Sequence, residues 1–137
     1  MRRISDHTTL IAGSATSISP GWRVSDYRNI ILRISGSASA NLKVFVKGAI
    51  GRGEAYDSAP NFTVNKSDRN EASAWDYIEV IDLEDGSAID GDDGINLSGN
   101  VMRLVEINAN VLDWLSVHST GIVTGTVTVV GLGTTNF

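Results

Sequence analysis

The sequence predicts an all-β fold: a single-domain antiparallel β-sandwich, jelly-roll-like, with about eight or nine strands. Three observations carry this expectation. Apolar and polar residues alternate with period two in several segments, turn-forming residues separate those segments, and no ten-residue stretch holds an apolar stripe at helical spacing. A chain of 137 residues is the size of one domain and can bury a core without metal or disulfide staples.

Taken in order, residues 8–12 and 18–24 read as short strands. In residues 27–35, Ile30, Leu32 and Ile34 fall on one side, with Asn29 and Arg33 on the other. In residues 41–48, Leu42, Val44 and Val46 share a face, and Lys43, Phe45 and Lys47 share the opposite one. Residues 61–65 are a further short strand, and residues 68–74 offer one helical turn capped by Ser67 or Asp68 with Glu71 as its third residue. Residues 75–83 carry apolar side chains on both faces, as a central or covered strand does. Residues 102–111 and 113–119 form two strands around the turn-like Asn108-Ala109-Asn110. Near the C-terminus Val123, Val127 and Val129 alternate with Thr124, Thr126 and Thr128. Successive strand side chains point to opposite faces, so such alternation implies one buried face and one wet face.

Glycine, Asn, Asp and Ser mark the turns between strands, at Ser35-Gly36-Ser37, Asp85-Gly86-Ser87 and Gly91–94 among others. Gly51-Arg52-Gly53 and Gly131-Leu132-Gly133 lack the third glycine and following helix of a phosphate cradle, and both read as turns. Residues 1–20, rich in Ser and Thr, form an N-terminal arm or first strand, and residues 21–137 form the sandwich.

Composition narrows the function. Hydrophobic residues at 42% and charged residues at 20% fit neither a disordered chain nor a membrane protein. A net charge of -5 speaks against coating duplex nucleic acid, which needs clustered cations. With no cysteine, disulfides, thiolate catalysis and Cys-ligated zinc are excluded. Arg2 and Arg3 are followed by polar residues rather than the apolar run of a signal peptide. The expectation is a protein made in the cytoplasm without a signal peptide.

Half of the sixteen acids lie in residues 76–93, with no Lys or Arg among them. Asp85, Asp90 and Asp92 are the candidate calcium ligands, since calcium takes six to eight oxygens from such loops. The Asp-x-Asp-x-Asp-Gly spacing fails, however, because Gly94 and Ile95 stand where the third acid and the glycine belong. Solvated turns are the simpler reading, and no cofactor is expected. His118 shares a strand face with Trp114 and Ser116, and no Gly-x-Ser-x-Gly elbow accompanies it, so no catalytic residue is assigned and no enzyme is expected. Trp22, Trp75 and Trp114 serve either the core or a subunit interface, or else stack sugars. Phe45, on the polar face beside Lys43 and Lys47, calls for cover by another segment or subunit. Phe45, Trp22 and the terminal Phe137 are the interface candidates.

The order of residues 27–35, 41–50 and Trp75-Asp76-Tyr77-Ile78-Glu79-Val80, then Arg103 and Gly125-Thr126-Val127-Thr128-Val129, resembles small β-sandwich proteins of tailed-phage virions, as does the loop 82–91. That resemblance, over roughly residues 24–131, implies capsid-decoration, head-fibre or tail accessory proteins. It implies homo-oligomers, trimers above all, that dock on a major capsid or other virion protein, located in the virion and binding neither nucleic acid nor membrane. The competing reading is a glycan- or receptor-binding module of the same fold.

Overall fold

The structure, a computed structural model, describes residues 3–13, 17–19, 21–36, 42–50, 75–97, 102–108, 112–121 and 125–136. Twelve strands lie within them: β1 (Arg3–Gly13), β2 (Ser17–Ile18), β3 (Trp22–Arg23), β4 (Asn29–Gly36), β5 (Lys43–Ala49), β6 (Trp75–Tyr77), β7 (Val80–Asp82), β8 (Ala88–Ile89), β9 (Ile95–Asn96), β10 (Met102–Asn108), β11 (Trp114–Thr120) and β12 (Val127–Asn136). The strand expected at residues 61–65, the helical turn at 68–74, Gly51-Arg52-Gly53, Val123, Thr124 and Phe137 lie outside the described residues.

The first sheet runs β1-β12-β4-β10-β7-β8, and the second β2-β11-β5-β6, with β3 also on β11 and β9 also on β5. Every pairing is antiparallel. Without the β7–β8 hairpin and β9, the orders are β1-β12-β4-β10 and β2/β3-β11-β5-β6, those of a jelly roll in which the chain keeps crossing between layers. The strand count exceeds the expected one because residues 75–83 break where the chain changes sheets, β8 and β9 add short pairings, and one expected strand splits along a single neighbour, β11. Residues 18–24 divide into β2 and β3.

Residues 75–83 were expected to be one continuous strand; they divide into β6 in the second sheet and β7 in the first, with the crossing at Ile78 and Glu79. Their apolar residues on both faces reflect this crossing. Gly131-Leu132-Gly133 is likewise no turn: it lies within β12, paired with β1 and β4. A side chain at Gly131 would overlap the Trp22 ring, and one at Gly133 would overlap the Tyr27 ring. The glycines are slots for two aromatics, which themselves pack with centroids 5.7 Å apart.

Between the layers lies one core. Ile30, Leu32 and Ile34 of β4, Val105 and Ile107 of β10, and Val127 and Val129 of β12 meet Val44 and Val46 of β5 and Leu115 and Val117 of β11. The alternation produces this directly in β4 and in the first half of β5, while Val46 through Ala49 are buried without a break. In β1 the register shifts between Thr9 and Ile11, a bulge that leaves Leu10 and Ile11 both buried in the core.

Candidate interaction surface

The outer face of the first sheet departs from the wet face that alternation implies. Across β7, β10, β4 and β12, register aligns the outward residues in rows. One row is Ile81, Glu106, Ile31 and Leu132, and the next is Leu83, Leu104, Arg33 and Val130. Met102 follows on β10. Among these, Met102 is 58% exposed, Leu83 41% and Leu104 37%. An open depression of about 240 Å³ lies beside Leu83, Met102 and Leu104. A strand that buried one face and wetted the other would place polar groups here, and large exposed apolar patches on soluble proteins mark interaction sites.

The depression ends at a charged clasp. Arg103 pairs with Asp82 and donates from Nη1 to the carbonyl of Asn96 at 2.9 Å. Asp82 also accepts the Glu84 N–H at 3.0 Å. Arg103 thus ties β10 to β7 within the first sheet and reaches β9 of the second. The Asp82 carboxylate is nearly buried, so the guanidinium compensates a charge that water cannot reach.

On the second sheet the outer face is largely covered. Phe45 is half-buried, with its ring 6.3 Å from His118 and 6.4 Å from Tyr77. Against it lies Gly94, with φ +78, where a Cβ would stand 2.9 Å from the ring. The loop 90–94 therefore supplies part of the cover that Phe45 calls for. Lys47 is only 1% exposed and holds its Nζ 4.5 Å from the Tyr77 ring centroid, a cation–π contact. Trp75, 2% exposed, and Ala49 form a second small cluster with Trp114. The Ser116 hydroxyl donates to the Ser19 carbonyl at 2.8 Å, while the Val117 N–H donates to the Ser19 hydroxyl at 3.0 Å. This buried polar pair satisfies its own groups and docks the chain beside β2 onto β11.

Of the sequence-derived candidates, Trp22 on β3 is half-buried with its ring against Gly131 between the layers, and Phe45 on β5 of the same sheet lies on the outer face. The structure does not bring these two together. The acids of the calcium candidate serve their own turns. Asp85 accepts both the hydroxyl and the N–H of Ser87, which hold its carboxyl below the usual range, and Asp90 faces the Asp92 N–H. Among the described residues no group of three or more His, Cys, Asp or Glu could hold a metal. Sequence reasoning passed over Leu83, Met102 and Leu104. The available signal was Leu104 next to Val105 and Ile107 in β10, a strand with apolar residues on both faces.

At the sheet edge, β1 pairs on one side with β12 over its whole length. Tyr27 reaches it from the loop between β3 and β4, with the phenol donating to the Asp6 carboxylate at 2.8 Å. Burial, that hydrogen bond and the charges of Asp6 and Asp26 push the Tyr27 phenol up to about 12.

No protein-family model matches the chain, and no curated protein matches it. Its fold is similar to that in the crystal structure of the SPBc2 prophage-derived protein YomS, with a TM-score of 0.70 and 14% sequence identity. The similarity covers 98% of this chain and 96% of that one, so the two share an architecture from end to end.

Proposed function

We propose that this chain is a structural component of a bacteriophage virion, a capsid-decoration or accessory protein without enzymatic activity. It associates with copies of itself and docks on a major capsid or other virion protein. The observation that carries this reading is the end-to-end likeness of its fold to a prophage-derived protein. Its support on the molecule is the apolar outer face of the first sheet together with the long edge strand β1, surfaces suited to lateral contacts. The protein resides in the virion.

The test is quantitative mass spectrometry of purified particles from a producing host, with gold-labelled antibody locating the chain. A constant copy number per particle, lost on deletion of the gene together with altered particle stability or morphology, is expected. Recovery of the chain only in the particle-free lysate would sink the reading.

A further inference from the structure

We infer that the outer face of the first sheet is a two-fold contact with a second copy of this chain, in which Arg33 of each copy faces Glu106 of the other. The inference rests on the self-association proposed above and names its surface and symmetry.

The charges sit among apolar residues on adjacent strands. Arg33 is opposite Leu104, and Glu106 is opposite Ile31, so the two lie diagonally across β4 and β10. Neither joins an ion pair among the described residues. One cation and one anion side by side on one face make that face complementary to itself when turned over. A partner of single charge would satisfy only one of them.

Symmetry adds an independent constraint. Two sheets meeting face to face through a two-fold have the axis in the plane of contact, and here it must bisect the line from Arg33 to Glu106. On a flat lattice with strands about 4.8 Å apart and outward residues about 6.8 Å apart, that bisector runs through Leu83, Leu104, Ile31 and Leu132. Each of the four lies within about 2 Å of the axis on this lattice, so each would pack on its own copy. The charge pairing and the apolar stripe thus choose the same axis. A contact of this isologous type closes at two copies, which favours a dimer over the trimer that the virion resemblance implies.

The experiment is sedimentation equilibrium of the purified full chain across a concentration series, with native mass spectrometry for stoichiometry. The expected species is a dimer. Arg33→Glu should weaken it about tenfold or more, and Arg33→Glu with Glu106→Arg should restore it to within about threefold, as charge pairs across an interface do. Leu104→Lys, at a position already exposed, should abolish it while leaving the melting temperature of the monomer unchanged. A dimer or trimer indifferent to both Arg33→Glu and Leu104→Lys would overturn this surface while leaving self-association standing. A monomer at every concentration would overturn both.

Discussion

Two glycines in the middle of a strand are a poor choice by propensity alone, since glycine gives a strand no side chain to pack and adds entropy to the unfolded chain. In β12 the missing side chains are the point: Trp22 and Tyr27 lie where Cβ atoms of Gly131 and Gly133 would be. Gly131→Ala should therefore destabilise the fold by about 1–3 kcal/mol, the usual cost of forcing volume into a packed site. Urea denaturation monitored by tryptophan fluorescence measures it, and an unchanged midpoint would show that the indole is free to move aside. Tyr27 makes a second prediction. Its pKa is 10.0 in the unfolded reference and about 12 when folded. The stability it contributes is complete below pH 10, and is lost as the pH climbs through about 12. Phenolate absorbance should show one of the three tyrosines titrating late, and Tyr27→Phe should remove that late step.

At the scale of elements, the β7–β8 hairpin is held by a short ladder, one core residue and an ion pair. β7 pairs with β10 through Val105 and Glu106, the Leu83 N–H adds a bond to the Leu104 carbonyl, Val80 is buried in the core, and β8 adds two residues beyond β7. The Arg103–Asp82 pair ties β7 to β10 through side chains. Arg103→Leu would leave the Asp82 carboxylate nearly buried without its cation, costing about 2–3 kcal/mol, while adding Asp82→Leu should recover most of the loss. Chemical denaturation of the two variants checks this, and equal stability of single and double variants would refute the clasp. The hairpin also places Leu83 beside Leu104, so the clasp supports one end of the apolar face. At the other edge of the sheet the bulge at Leu10 interrupts the regular ladder of β1 with β12.

For the whole molecule, the two layers treat their outer faces differently. The second sheet is covered over Lys47, Trp75 and Ser116, whereas the first leaves Leu83, Met102 and Leu104 in contact with water. A net charge of -5 favours solubility against the pull of that face. Covering the face with a second copy would bury the apolar stripe without burying an unpaired charge, since Arg33 and Glu106 would neutralise one another across the axis. The backbone edge of β1 would remain open to a different neighbour. Such a division would give the virion component proposed above one surface for itself and another for the particle.

By itself the sequence determined the layered all-β architecture, because strand periodicity is local: Ile30, Leu32 and Ile34 alternate whatever the rest of the chain does, and they lie in the core. It also marked Phe45 as a residue needing cover. Only the tertiary structure decided that residues 75–83 cross between sheets, that Gly131 and Gly133 are slots rather than turns, and that Arg33, Glu106, Leu83 and Leu104 share one face. These depend on which strands become neighbours and in which register. Pairing joins residues as distant as Arg3 and Asn136, and no local pattern records a partner at the far end of the chain.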